Sequence, residues 1–419
     1  MFLSYSINSN LKVYTRKMYL SKKKIAIKIQ IFTLKHKTLL FSCICTSLAL
    51  WILLSLSTNI SSAFDQIQLK SNQNEPLAYT CCTPSNKSLR TNVYFVKTHK
   101  TGSTTVKNVI LRFAFRNSLD VMDIIYNTYN LPFSDSSMHP HAKTPNNKYH
   151  IMAQHVRYDP ALKSYQYPNT SMVTILRHPA TQFQSKYEFL VLNKTTGMNL
   201  QQFLNAPEKP DLSKGGGAVY RGYNQLSVDL GFDVSQSKNE TAIAEFIQTI
   251  DREFDLVMIM EHMEASMILL ANLMGWPLEY VAFLKLNSRN SQSDPYKLTL
   301  RDEITIMDLN QVDTLLYNHF NDKFQKCVRQ YGEQKMLDQI QQLKIINEKF
   351  AQRCIGEEIK KPLWNGGSEM IEFKPKDSSD VECVYAVAST FALADILKNY
   401  TKSKNGKFNK GWNFLQFVN

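Results

Sequence analysis

Apolar positions along the chain alternate between two habits. Val93-Tyr94-Phe95-Val96 is a short continuous apolar run of strand character, and the polar loop after it leads into Val106–Phe115, where apolar residues recur at helical spacing. The same pair returns twice. Met172-Val173-Thr174-Ile175-Leu176 precedes the helix candidate Ala180–Leu192, and Phe254–Met260 precedes Glu264–Met274. Strand then helix, repeated, predicts an α/β fold in which a parallel sheet carries helices on its faces. From Leu300 to Arg353 the pattern becomes long and helical, dense in Leu, Ile, Lys and Gln and free of Pro. Nothing assigns an element to the segment after 356, which holds Gly366-Gly367 and a Lys-rich end.

A longer apolar stretch stands apart. Leu39–Leu56 is uncharged, and as a helix of about 18 to 21 residues it measures roughly 27 to 31 Å, the thickness of a bilayer core. A cleaved signal peptide lies nearer the N-terminus and has a shorter apolar region. Nine Lys/Arg and no acid precede the stretch, and the first acid, Asp65, follows it, so the positive-inside rule places residues 1–37 in the cytosol. The expected organisation is a basic cytosolic tail (1–37), a single transmembrane signal-anchor (38–58), a Ser/Asn/Gln/Thr-rich stem (59–90), a folded domain (91–355) and a C-terminal extension (356–419).

Charge then takes on a different meaning. The 49 Lys+Arg and 36 Asp+Glu of the 419 residues give +13. Once the nine cations of the tail are set aside, the remainder carries 40 − 36 = +4. That distribution argues for a membrane flank and against a nucleic-acid partner. Six Asn-x-Ser/Thr triplets (Asn59, Asn86, Asn169, Asn193, Asn239, Asn399) all follow the span, as do Cys81, Cys82, Cys327, Cys354 and Cys383, in a compartment where disulfides persist. Five is odd, so at least one cysteine is free or pairs between chains, and the pairing stays open. No C-x-x-C occurs and no His pairs with a Cys at ligand spacing, so no metal is expected.

The chemistry concentrates in Lys97-Thr98-His99-Lys100-Thr101-Gly102-Ser103-Thr104-Thr105, between the first strand and its helix. A Gly/Ser/Thr loop that opens a helix offers backbone N–H groups and the positive helix end to a phosphate-like anion. No acid lies between Thr91 and Leu119, whereas Lys97, Lys100, Lys107, Arg112 and Arg116 do. The nucleotide-kinase pattern G-x-x-x-x-G-K-[ST] is not met, because Lys100 precedes Gly102 and no Gly lies five residues before it; ATP and Mg²⁺ chemistry is disfavoured.

This loop resembles the 5′-phosphosulfate loop of membrane-bound sulfotransferases, closest to the galactose 3-O-sulfotransferase family. Arg177-His178-Pro179-Ala180 with Ser185-Lys186-Tyr187 is similar to that family's 3′-phosphate site, Arg and Ser standing eight residues apart. Further similarity lies in Gln154–Tyr158, Asp229–Asp233, Phe254–Glu261, Phe283–Arg289 and Tyr317–Asn321, so the resemblance covers roughly Asn92 to Cys354. It implies a P-loop-like sulfotransferase fold and 3′-phosphoadenosine 5′-phosphosulfate (PAPS) as co-substrate. By the same resemblance Lys100 acts on the leaving oxygen, the amides and hydroxyls of Thr101, Gly102, Ser103, Thr104 and Thr105 surround the 5′ phosphate with Lys97 nearby, and Arg177 and Ser185 hold the 3′ phosphate. The general base is His155, the first candidate, or His99, the second. Lys285 and Arg289 are candidates for nucleotide or acceptor contacts, and Tyr220–Tyr223 for an acceptor loop. The implied enzyme is a single-pass type II Golgi membrane protein, its catalytic domain lumenal, that sulfates a galactose-terminated glycolipid or glycan, with a homodimer allowed. Two alternatives stay open: another sugar acceptor such as a glycosaminoglycan unit, and an inactive glycan-binding protein.

Overall fold

The computed structural model describes residues 89–125, 134–212, 220–284, 296–362 and 369–404. The expected membrane anchor (38–58) and nearly all of the stem lie outside the described residues, and among the described residues no helix is long and apolar enough to cross a membrane.

Strands β1 (Val93–Val96), β2 (Ile151–Gln154), β3 (Ser171–Leu176) and β4 (Leu256–Ile259) form one sheet in the order β2-β1-β3-β4. Every pairing is parallel, Val93 lying opposite both Ile151 and Ser171, and Val173 opposite Leu256. All residues of β1, β3 and β4 are buried, as a parallel sheet covered on both faces requires.

Helix α1 (Ser103–Arg116) follows β1 and packs against β2. After β3 comes α2 (Pro179–Phe189), shorter than its apolar pattern predicted, because Val191 takes the left-handed conformation (φ 50°) and breaks the helix; two short helices follow, α3 (Leu192–Thr196) and α4 (Leu200–Asn205). Next are α5 (Gln225–Asp229) and α6 (Glu240–Glu253), then β4 and α7 (Met263–Met274), which packs on β4. The long helical stretch is three helices, α8 (Leu300–Leu309), α9 (Gln311–Tyr331) and α10 (Glu333–Cys354), interrupted at Asn310 and at Gly332 (φ 101°).

Beyond α10 the chain forms an antiparallel hairpin, β5 (Ile355–Pro362) and β6 (Glu369–Pro375), then α11 (Val381–Val387) and α12 (Thr390–Lys404). Both of these last helices pack on α1. Covered by β2 within and by α11 and α12 without, α1 buries 11 of its 14 residues, polar Lys107, Asn108 and Arg112 among them.

The strand order decides where a ligand can sit. β2 lies on one side of β1 and β3 on the other, so the order in which strands are added reverses between β1 and β3, and in sheets of this kind ligands bind beyond the carboxyl ends at such a switch point. The loop Lys97–Gly102 and the turn Arg177–His178 leave those two ends.

Candidate active site

The loop after β1 is shaped by its own hydroxyls. Thr98 donates to the carbonyl of Ile175 and pairs with the Thr101 hydroxyl at 2.9 Å. The Ser103 and Thr101 hydroxyls donate to the Thr98 carbonyl at 2.7 and 3.2 Å. Thr101 and Ser103 therefore brace the loop from inside, and Thr104 and Thr105 follow in the first turn of α1. Lys100 and Gly102 both adopt the left-handed conformation (φ 63° and 69°), which turns the chain sharply into α1. A Cβ on Gly102 would stand 2.9 Å from the Met263 methyl, so a side chain there is both strained and crowded. No side chain caps α1 and its first turn holds no acid.

Cations gather around this helix start. Lys97 is 3% exposed, and burial, with Lys107 and Lys100 nearby, pushes its ammonium well below the ordinary lysine range. Burial also pushes Lys107 on α1 down to about 8, against the pull of Asp123. The Lys100 ammonium lies 3.7 Å over the Phe189 ring at the end of α2. A lysine depressed by burial and by neighbouring cations, as Lys97 is, is stabilised by an anion.

The two histidines stack on each other, ring centroids 4.0 Å apart, and their surroundings differ. His155 is enclosed by Lys97: its Nδ1 bonds the Lys97 carbonyl at 2.9 Å and its Nε2 meets the Lys97 ammonium at 2.7 Å. A carbonyl only accepts, so Nδ1 carries the hydrogen and Nε2 accepts from Lys97. Burial, then Lys97, His99 and Lys107, hold His155 well below the usual histidine range. His99 is backed by a carboxylate instead. Its ring Nδ1 stands 2.8 Å from one oxygen of the fully buried Asp229, and its amide donates to the other at 2.6 Å. Gln182 fixes the His99 carbonyl at 3.0 Å, and Gln225 donates to Asp229 at 2.9 Å. With Asp229 accepting from Nδ1–H, His99 keeps its lone pair on Nε2.

Asp229, Gln182 and Gln225 were not singled out as functional by sequence, and the reason is separation: Asp229 lies 130 residues from His99. The signal was the Asp229–Asp233 segment, noted only as a resemblance. The structure joins it to Gln154–Tyr158, since the Tyr158 amide donates to the Asp229 carbonyl at 2.8 Å and Arg157 donates to the Gly231 and Phe232 carbonyls at 3.3 and 3.0 Å.

Across the crevice, half-buried Arg177 ends β3 and donates to Thr181 at 3.0 Å and to the Lys100 carbonyl at 3.2 Å. Ser185 is buried two turns along α2. The turn between them is pinned by Glu261, which accepts from the His178 amide at 2.8 Å and from Tyr317 at 3.3 Å. The 177–180, 254–261 and 317–321 segments thus meet at the ends of β3 and β4. Tyr220 and Tyr223 are half-buried, whereas Lys285 and Arg289 lie outside the described residues.

Comparison with known proteins places the chain in a family. A family profile described as Galactose-3-O-sulfotransferase matches residues 25–371. Human galactose-3-O-sulfotransferase 3 is 33% identical over 279 residues, 64% of each chain. Human galactosylceramide sulfotransferase is 31% identical over 282 residues, again 64% of each, and pig galactose-3-O-sulfotransferase 2 is 28% identical over 275 residues, 63% of this chain and 69% of the relative. The match thus spans a little under two thirds of the length of the first two relatives. With the profile covering most of its length, the chain belongs to the galactose-3-O-sulfotransferase family.

Proposed function

We propose that this protein transfers a sulfonate from PAPS to a galactose hydroxyl, the 3-hydroxyl, of a glycolipid such as galactosylceramide or of a glycoprotein glycan. The observation that carries the reading is the cation-rich, uncapped start of α1 at the β1/β3 switch point, with a carboxylate-backed histidine beside it.

The site fits such a donor on its own chemistry. Lys97, Lys100 and Lys107 concentrate positive charge at this loop, and Gly102 keeps it clear of a side chain where backbone amides approach an anion. When bound, the donor supplies a sulfonate activated by a phosphate leaving group. The first-turn amides of α1 and Lys97 hold the 5′ side, Arg177 and Ser185 the 3′ phosphate, and Lys100 neutralises charge that grows on the leaving oxygen. His99 takes the proton of the acceptor hydroxyl at Nε2, its imidazolium stabilised by Asp229. His155 holds the Lys97 ammonium in place through Nε2.

The location proposed with this activity is the Golgi membrane, in single-pass type II orientation with the domain lumenal. The uncharged Leu39–Leu56 stretch with its basic flank supports it, and so does a disulfide between Cys354 and Cys383, since such bonds persist in oxidising compartments.

The test is transfer of labelled sulfonate from PAPS to galactosylceramide, lactosyl and N-acetyllactosamine glycans and heparan fragments, with linkage analysis of the product. Expected is 3-linked sulfate on galactose, abolished in Lys100→Ala with the fold intact. His99→Ala should lower kcat by about 10²- to 10⁴-fold, whereas His155→Ala should act mainly through nucleotide affinity. No transfer to any acceptor together with no nucleotide binding in calorimetry sinks the proposal.

A further inference from the structure

Behind the His99–Asp229 couple lies a second polar cluster whose buried side chains have no part in the reaction as proposed. At five residues α5 is too short to hold a position by itself, yet its last residue is Asp229. Asp313 of α9 grips its first turn, accepting from the Leu226 amide at 3.0 Å, the Ser227 amide at 2.8 Å and the Ser227 hydroxyl at 2.6 Å. Asn224, left-handed at φ 58°, fixes the entry: its amide donates to Asn310 at 2.9 Å, and its side-chain oxygen accepts from the Val312 and Asp313 amides at 3.0 and 3.2 Å.

Lys186 enters this cluster from α2, the helix that carries Ser185. Its side chain is buried, its ammonium donates to the Gly222 carbonyl, and the rings of Phe183 and Tyr220 lie 5.4 and 6.0 Å away. Asp313 and Asp229 are the two carboxylates whose charge favours the ammonium. Lys186 thus ties α2 to the Gly222 carbonyl, two residues ahead of Asn224 at the entry to α5, the helix whose last residue orients His99. Burial lowers Lys186 to about 8 and raises Asp313 to about 6, and the charge of each opposes the other's shift. Without the ammonium, the Gly222 carbonyl loses its buried donor and the entry to α5 loosens. Asp229 then stops accepting cleanly from the His99 ring.

We propose that Lys186 and Asp313 are positioning residues, which fix α5 and with it the Asp229 carboxylate so that His99 keeps hydrogen on Nδ1 and its lone pair on Nε2. The proposal rests on the reading of His99 as the base, and it makes the donor-side helix α2 a support of the acceptor-side proton transfer.

Histidine-selective ¹⁵N spectra of the whole chain, with His99→Gln to assign the signal, read the tautomer directly. In the wild type His99 should show the Nδ1–H form, and in Lys186→Met a mixture. In the same variant kcat should fall about tenfold or more while the dissociation constant of 3′-phosphoadenosine 5′-phosphate stays within about twofold. Should Lys186→Met fail to fold, Ser227→Ala, which removes one of three donors to Asp313, should move both readouts the same way by a smaller factor. An unchanged tautomer in the folded variant overturns the proposal, as does a loss of nucleotide affinity equal to the loss of kcat. A wild-type chain that transfers nothing overturns the proposed reaction instead, and the tautomer spectrum still decides the positioning.

Discussion

His155 shows how burial can turn a titratable residue into a fixed one. Both ring nitrogens are taken by Lys97, and burial with three nearby cationic or titratable groups keeps the ring neutral. Folding thus lowers the proton affinity of this imidazole relative to the unfolded chain, where it titrates near 6.5. Below that value the unfolded chain binds the extra proton and the folded one resists it, so stability falls as pH falls; above it the contribution is flat. His155→Gln keeps an acceptor for Lys97 but cannot titrate, so urea unfolding at pH 7 and pH 5 should show the variant losing less stability than the wild type over that interval. Equal losses would mean that His155 protonates freely in the folded protein. Gly231 holds the adjoining segment for a steric reason: at φ 94°, a Cβ there would sit 2.6 Å from the Tyr158 carbonyl oxygen, where the chain bringing His155 crosses the chain bringing Asp229.

Among the elements, α1 carries the donor loop and is held from behind. Arg112 donates to Asn108 at 3.0 Å and to the Ala282 carbonyl, faces Glu382 at 3.6 Å and lies 4.8 Å over the Phe350 ring; Asn108 donates to the Tyr385 carbonyl at 2.8 Å. Arg116, one turn on, also meets Glu382 but is 40% exposed. Arg112→Met leaves the buried Ala282 carbonyl and the Asn108 side-chain oxygen without their donor and should cost about 2 to 4 kcal/mol in urea unfolding, whereas Arg116→Met should cost under about 1 kcal/mol. Comparable costs for the two would place the anchor elsewhere. None of this anchoring could be read from sequence, because it joins residues some 170 to 280 positions apart. The elements that were legible, β1, β3 and β4 with α1, α2 and α7, each carry their own period in a continuous stretch. β2 has only Ile151, Met152 and Ala153 before Gln154, too short a run to stand out, and β5 alternates nothing, with Glu357, Glu358 and Lys360 in one strand. The same division runs through the site: the anion loop and Arg177 lie in local motifs, while the partners that distinguish His99 from His155 come from distant segments.

At the scale of the whole molecule, the global charge of +13 says little about the site, whose field comes from Lys97, Lys100 and Lys107 around one helix start. What keeps those lysines together depends on the far end of the chain. Cys354 at the end of α10 is bonded to Cys383 in α11, closing a separation of 29 residues that contains the β5–β6 hairpin. Arg353 binds Asp380 at 2.7 Å and Glu382 at 3.2 Å beside that bond, and α11 then rests on α1. A loop of that length implies roughly 3.5 kcal/mol of stabilisation by the chain-entropy argument. The bond therefore fixes the helix that backs the donor loop as well as the fold. The double variant Cys354→Ser with Cys383→Ser, which leaves no unpaired thiol at this bond, should lose about 3 kcal/mol in chemical unfolding and bind 3′-phosphoadenosine 5′-phosphate several-fold more weakly in calorimetry, although no residue of the donor loop has changed. A variant that loses stability but keeps full nucleotide affinity would show that α11 stabilises the molecule without setting the loop, and the linkage from C-terminal clamp to donor site would fall.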